Sequence, residues 1–599
     1  MNRKQLLIAS LLLLLGAAAA NGQKLARDLA DLKPGTKVDV IIQFVNPGME
    51  QAQGHVAGMG GQKKADLDLI GGALYSVPVN ALKALANNPN IRYISPDRAL
   101  SGTLDVATVT TGGDLARTHT YDGRDIGVAI IDSGIADHWD LRNLAEDNYR
   151  LGRSRILYSE SFLAAKGATS ANNTDDHYGH GTHVAGIVGS TGWSSTGSWF
   201  NKTFRGMAPK ANLINLKVLD QNGLGADSGL IAAIERAIQL KAKYNIRVIN
   251  LSLGRPVFES YTVDPLCQAA EKAWKAGIVV VAAAGNYGRE NAAGNDGYAT
   301  IASPGNDPYV ITVGATKTLR TASRADDLIA SYSSKGPTAI DHIVKPDLVA
   351  PGNRMVSLMY KVYNQRVGLA YYYPGNIVPT SFYVTDDNGT DGTYYRLSGT
   401  SMATPVVSGA AALLVQKYPA LTPDQVKARL MKTATKGFPQ YSVATDPVTG
   451  RSYTSQYDIF TVGAGYLDAW AALNSTEVSS GNAMSPKATF DAASGNAYLL
   501  CDAGAIWGTG AIWGTCATGA IWGTGAIWGT QTILSGSGAI WGTGAIWGTQ
   551  TASGFGAIWG TGAIWCTGAS GESDSSRVST ALANTGSPGT ISVAIHGEN

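Results

Sequence analysis

Three side chains far apart in the sequence have the chemistry to cleave an acyl bond. Asp132 closes AIIDSGI, His180 opens HGTHVAG, and Ser401 stands in GTSMATP. A serine hydroxyl is a weak nucleophile and needs a base to take its proton. Histidine is the usual base, and a buried carboxylate holds its tautomer and stabilises the imidazolium. A helix beginning at Ser401 would add free N–H groups and the positive end of its dipole, both favourable to the oxyanion of a tetrahedral intermediate.

Something must bring these residues together. Between 126 and 285 the chain alternates continuous apolar runs with helical stretches. IGVAIID (126–132), NLINLKVLD (212–220), IRVINLSLG (246–254) and GIVVVAAAG (277–285) read as buried strands. SGLIAAIERAIQLKAKY (228–244) and DPLCQAAEKAWKAG (264–277) read as the helices that cross between them. That pattern predicts an α/β fold with a mostly parallel sheet covered on both faces. Function in such sheets gathers at the strands' carboxyl ends, where Asp132, Asp220, Ser252–Gly254 and Gly285–Asn286 stand. The stretch 399–420 is small and apolar throughout and reads as a buried central helix. Before it, the tyrosine-rich stretch 356–397 reads as a surface loop excursion.

The remaining chain divides by composition. Asn2-Arg3-Lys4, the apolar run Leu6–Leu15 and the small residues Gly16–Ala20 have the build of a secretory leader, 1–20, so export is expected. The run is short for a membrane span, which takes roughly 20 residues. Residues 21–104 read as a small α+β module, with strands at 38–45, 73–79 and 91–94 and a short helix at 81–86 capped by Asn80. The net charge of +2, with no clustered Lys or Arg, argues against nucleic acid as a partner. There are four cysteines, too few for a disulfide scaffold. Cys267, in a helix, reads as a buried free thiol. Cys501, Cys516 and Cys566 leave their pairing open.

Seven segments, VAIIDSGI, HGTHVAG, GMAPKANLINLKVL, VINLSLG, VVVAAAGN, KPDLVAPG and GTSMATP, occur in this order over about 350 residues. Together they resemble the subtilisin-like serine proteases, and Asp before His before Ser is that family's chain order. The resemblance implies the subtilisin-like three-layer fold over residues 105–475 and a serine endopeptidase acting on proteins or peptides. In it Asp132 orients the histidine, His180 is general base and then acid, and Ser401 is the nucleophile. It also implies that Asn286 donates its side-chain amide to the oxyanion. Ser252, Leu253 and Gly254 would wall the specificity pocket on one side, and Ala283, Ala284 and Gly285 on the other. Ser333–Pro337 and Lys345–Asp347 resemble structural segments of the family. The module 21–104 resembles an inhibitory propeptide, cleaved somewhere between Asp97 and Thr120.

Other readings compete at particular residues. His177, His180 and His183 with Asp175 and Asp176 could ligate zinc, but that leaves Asp132, Ser401 and Asn286 unexplained. No cofactor is required for the chemistry. A structural calcium stays open: the loop 190–204 does not match the calcium loop of the best-known members, whereas DDNGTD (386–391) sets oxygen ligands close together. An idle adhesion protein would not need the four polar residues at once. An esterase or peptidyl transferase would use the same acyl-enzyme with a different acceptor.

From Gly504 the region 476–599 carries eight copies of GAIW and, between Ala503 and Gly571, no charged residue. Copies within a pair start six residues apart, an even spacing that puts both tryptophans on one face of a strand. Short glycine-punctuated strands are therefore expected there. Either a polysaccharide-gripping or protein-gripping surface of exposed indoles or a self-packed stalk without ligand fits the repeat. If this tail is shed, the mature enzyme ends near residue 475.

Overall fold

The computed structural model describes residues 24–26, 29, 35–45, 49–97, 99–102, 110–144, 151–163, 173–291, 295–319, 321, 323–360, 367–385, 389, 392–446, 449–479, 481–491, 496–500 and 595–598, with four strand fragments between 520 and 549. The chain forms two compact units. Among the described residues, one comprises those up to Asp97 with 263–265, and the other the remaining ones.

The smaller unit is an antiparallel sheet with helices. Its strands are β1 (Lys37–Phe44), β2 (Gln62–Leu67), β3 (Gly72–Pro78) and β4 (Ile91–Pro96), in the order β2-β3-β1-β4. Val40, Ile42, Tyr75, Val77 and Ile94 bury one face against Ala52 and Val56 of α1 (Met49–Gly58) and against Leu82 and Leu85 of α2 (Leu82–Ala86). Three of the four strands follow from their alternation. The strand β2 and the helix α1 do not: QKKADL is mostly polar, and MEQAQGHVAG buries only two residues. Asn80 lies within a 3₁₀ turn, and no side chain caps α2, so the expected cap does not form.

The larger unit begins with β5 (Ala99–Gly102) and is built on an eight-stranded sheet. Its central strands are β6 (Gly127–Asp132), β7 (Ile156–Ser161), β8 (Asn212–Lys217), β10 (Ile246–Leu251), β12 (Val279–Ala283) and β13 (Ile311–Lys317). They run parallel in the order β13-β12-β10-β6-β8-β7. Two more strands complete it beside β13: β14 (Leu328–Ile329), antiparallel, and β15 (Leu348–Pro351), parallel. Every residue of β6, β12 and β13 is buried, as continuous apolar strands covered on both faces require. The crossover helices α4 (Asp227–Tyr244) and α5 (Pro265–Lys275) fall where the pattern predicts them. The apolar run 246–254 splits: β10 stops at Leu251, and Leu253–Gly254 forms β11 in a separate small sheet.

Two helices serve the site. α3 (His180–Gly189) is buried along its whole length, and α6 (Thr400–Lys417) from Thr400 to Val415. α6 lies against α3 and against β10, β12 and β13. The stretch 356–397 is less of an excursion than its composition suggests. Its ends pair as β16 (Met355–Leu358) and β17 (Tyr394–Leu397), and Val378, Tyr383, Tyr394 and Tyr395 are buried. The Tyr394 hydroxyl donates to Asp140 at 2.7 Å, the partner a buried phenol needs. The Lys345–Asp347 segment is structural: the buried Asp347 carboxylate bridges Lys345 at 2.7 Å and Lys427 at 3.1 Å. Cys267 is a buried thiol whose Sγ donates to Asn306 Oδ1 at 3.3 Å. DDNGTD falls outside the described residues except Gly389, as do Cys501, Cys516, Cys566 and the leader. Within the repeat, Ala520–Ile521 pairs with Ile527–Trp528 and Ser537–Ala539 with Trp547–Thr549, both antiparallel. Among the described residues no helix is long and apolar enough to cross a membrane.

Candidate active site

Asp132 is the last residue of β6, at the carboxyl end of the sheet, and is 1 % exposed. His180 opens α3 and is fully buried. The two are hydrogen-bonded, Nδ1 to Oδ1, at 2.6 Å. With Nδ1 engaged, the imidazole is fixed about its own axis. Asp132 Oδ1 also accepts from Ser133 N at 2.7 Å, so the carboxylate cannot rotate freely.

The start of α3 is held by Asp176 and Ser133, to neither of which the sequence assigns this role. Asp176 Oδ1 accepts from Gly179 N and from Ser133 Oγ, each at 2.7 Å. Its Oδ2 accepts from Thr182 N at 2.7 Å, and Ser133 Oγ accepts from Gly181 N at 2.9 Å. A fully buried carboxylate thus satisfies helix-end amides that would otherwise be orphaned, and its charge suits the positive end of the dipole. Gly181 is obligatory there, because a Cβ would sit 2.1 Å from Gly134 O. The signal for Asp176 was its place four residues before His180 in a polar loop, but metal ligation was the only role its residue type suggested. His183 is one turn further on. Burial, with the neighbouring His180, lowers its pKa to about 3, and a backbone contact at Tyr395 O, 3.1 Å away, holds its ring. It stays neutral inside the helix.

Ser401 is the second residue of α6 and is fully buried. Its own carbonyl accepts from Ser252 Oγ at 2.6 Å. Ser252 Oγ in turn accepts from Asn250 Nδ2 at 2.9 Å, and Asn250 Oδ1 accepts from Ser408 Oγ at 2.8 Å. This chain ties the end of β10 to the first turns of α6.

Asn286 carries the clearest chemical signature. Its Oδ1 accepts from Thr400 N at 2.9 Å and from Thr400 Oγ1 at 3.1 Å. Its Nδ2 is buried and has no partner among the described residues. An unpaired buried donor costs about 1–3 kcal/mol. Such an orphan beside the start of a helix is what a preorganised oxyanion donor looks like before the oxyanion forms. Thr400 also accepts from Gly285 N at 3.1 Å, so it sets both the amide and the strand end that carries it. Nothing about a threonine in GTSMATP announces that role.

The residues proposed for the specificity pocket converge as well. Ser252, Leu253, Ala283 and Ala284 are buried. A Cβ on Gly254 or on Gly285 would each meet Ala302 Cβ at 3.2 Å, so Ala302 lies close to both glycines. The sequence reading did not include it. Beside this wall β5 runs antiparallel to β11, with Gly102 opposite Leu253 and Ser101 opposite Gly254. On its other edge it pairs with β9 (Leu224–Ala226). An extended segment of this chain therefore lies between two strand edges, the way a peptide adds to a sheet.

Residues 123–452, more than half of the chain, match the family model described as the subtilase family. The chain belongs to the subtilase family. It is 36 % identical over 417 residues to Serine protease AprX of Bacillus subtilis, covering 67 % of this chain and 83 % of that protein. It is 35 % identical over 323 residues to Subtilisin DY of Bacillus licheniformis, covering 54 % and 88 %, and 32 % identical over 382 residues to Subtilisin E of Bacillus subtilis, covering 63 % and 78 %. As a subtilase this chain is a serine endopeptidase of the subtilisin-like type, and proteins are its substrates.

Within this subtilase, Thr400→Val tests how tightly the Asn286 amide must be held. The substitution keeps the shape and the backbone N–H but removes the hydroxyl that engages both Asn286 and Gly285. The expected result is a kcat about tenfold lower, or about 1.4 kcal/mol of transition-state stabilisation, with KM nearly unchanged. An unchanged kcat from steady-state assays of a short peptide substrate would contradict the positioning role.

Proposed function

We propose that Asp132, His180 and Ser401 are the catalytic triad of this endopeptidase and that Asn286 is the side-chain donor of its oxyanion hole. His180 takes the Ser401 proton as Oγ attacks the peptide carbonyl, then returns it to the leaving amine. Asp132 keeps the imidazole in the required tautomer and stabilises the imidazolium. Asn286 Nδ2 and the Ser401 N–H receive the oxyanion, and water then hydrolyses the acyl-enzyme. The observation that carries the reading is Asn286 itself: a buried amide clamped through Oδ1 to the residue before Ser401, with its donor unspent. No cofactor enters any of these steps.

Ser252–Gly254 would hold the substrate as an extended strand, with the side chain before the scissile bond entering the space bounded by Ala283–Gly285 and Ala302. The pairing of Ala99–Gly102 supports this, since it is a peptide in that place already. The chain is then a zymogen: leader 1–20, inhibitory propeptide from residue 21, and peptidase domain to about 475, exported and activated by its own cleavage. The cut is proposed at the bond after Thr103, one residue beyond the last paired residue, Gly102. Intact mass and N-terminal sequencing of the secreted, casein-digesting protein are expected to give a mature chain beginning at Leu104. A chain that digests casein with residues 21–103 still attached would overturn the zymogen reading.

A further inference from the structure

The segment Ile595–Glu598, more than a hundred residues past the end of α6, is seated in a polar pocket that the catalytic chemistry does not use. Glu598 is 1 % exposed. Its Oε1 accepts from Arg289 Nη2 at 2.8 Å, from Ser331 N at 2.8 Å and from Ser331 Oγ. Lys317 Nζ lies 3.5 Å from Oε2 and is 3 % exposed. The backbone is held as well. Asn353 Nδ2 donates to Glu598 O at 2.8 Å, and Glu598 N donates to Asn353 Oδ1 at 2.9 Å. Asn376 Nδ2 donates to Ile595 O at 2.7 Å. Gly597 has φ +61°, and a Cβ on it would fall 2.1 Å from Ser398 Oγ and 2.8 Å from Asn353 Oδ1.

These contacts select by chemistry. The asparagine fork reads any backbone. The cradle around residue 597 admits glycine only, for lack of space and for its positive φ. The pocket around residue 598 wants a carboxylate: burying one is costly unless it is paired and hydrogen-bonded, and here three donors meet one oxygen and a lysine faces the other. Taking the glutamate away would leave Arg289 and Lys317, both largely buried, without the anion they share. Arg289 also pairs with Asp446, so the pocket belongs to the domain's own charge network.

We propose that this pocket is a binding site for a Gly-Glu peptide segment, filled in cis by Gly597-Glu598, and that it keeps the segment bound non-covalently when the repeat region is cut. On the other side of the repeat region in sequence, Lys487–Asp491 also joins the peptidase domain, through Ala488 N to His342 O at 2.7 Å. The pocket also borders the site. Arg289 is three residues beyond Asn286, and Ser398 precedes Gly399, the N-cap of α6. The inference stands apart from the assignment of the triad.

The test uses the full chain carrying Ser401→Ala, to limit self-digestion. No Lys or Arg occurs between Lys487 and Arg577, nor after Arg577, so brief trypsin treatment cuts this region at Arg577 and frees one fragment beginning at Val578. Gel filtration in native buffer followed by denaturing mass spectrometry is expected to find that fragment with the domain. Excess synthetic VAIHGEN should displace it, and the same peptide with alanine for glycine and glutamine for glutamate should not. Glu598→Gln should lower retention by at least about tenfold, as loss of charge-assisted hydrogen bonds predicts. A wild-type fragment that separates from the domain, or is displaced equally by both peptides, would overturn the proposal. Should the variant fail to fold, the two peptides on the wild-type pocket decide alone.

Discussion

Ser401→Ala is expected to reduce peptide hydrolysis by about 10⁶-fold, the size that subtilisin itself shows for its nucleophile. His180→Ala should cost nearly as much, and the double variant little more than either. In the proposed triad the two act as one unit: without the hydroxyl there is nothing for the base to deprotonate, and without the base the hydroxyl is too weak to attack. The environment on each side is specific to that pairing. His180 has Nδ1 committed to Asp132 at 2.6 Å, and Ser401 stands in the first turn of a helix buried from Thr400 to Val415. Circular dichroism and melting should change little for Ser401→Ala, because the substitution removes one hydroxyl oxygen and leaves the Cβ in place. Additive losses in the double variant, measured as kcat/KM on one peptide substrate, would mean that the two residues do not share a step.

Asn286→Ala is expected to lower kcat by about 10²–10³ with KM nearly unchanged, a magnitude that again comes from subtilisin's own asparagine. The split follows from where the interaction exists. Nδ2 has no partner among the described residues, so as the proposed oxyanion donor it would contribute to binding the transition state and little to binding substrate. Stability should move little, since two effects oppose. Alanine removes an orphaned donor that costs about 1–3 kcal/mol, but it also takes the acceptor from Thr400 N–H. Asn286→Asp is the sharper comparison. It keeps an oxygen for Thr400 and turns the donor into an acceptor, so it should fall below the alanine variant in kcat. An Asn286→Asp enzyme as active as the wild type would remove the oxyanion role.

Much of the fold, and the residues now proposed for the site, could be read from the sequence for physical reasons. Parallel strands buried on both faces read as unbroken apolar runs, so β6, β8, β10 and β12 stood out, and the residues at their carboxyl ends followed. What stayed hidden was held by tertiary contact. Asp176 and Thr400 accept hydrogen bonds from backbone amides brought to them by folding, Thr182 N and Gly285 N, which leave no periodicity in the chain. Ala302 joins the proposed pocket because Gly254 and Gly285 approach it, and neither glycine lies near it in sequence. The polar strand β2 borrows its order from pairing with β3 rather than from its own pattern. The end of the chain was the least legible: HGEN carries no helical or strand signal, and only the assembled Arg289, Ser331 and Asn353 reveal why Gly597 and Glu598 are there.

The central claim is that Ser401, activated by His180 and Asp132, forms the acyl-enzyme. Its most direct measurement is intact mass and peptide mapping after treatment of the mature enzyme with phenylmethanesulfonyl fluoride. The account predicts one sulfonyl group per chain, on Ser401, with activity lost in proportion, and no labelling in His180→Ala. Full casein digestion by an enzyme unlabelled at Ser401, or stoichiometric labelling of a different residue that abolishes activity, would contradict it.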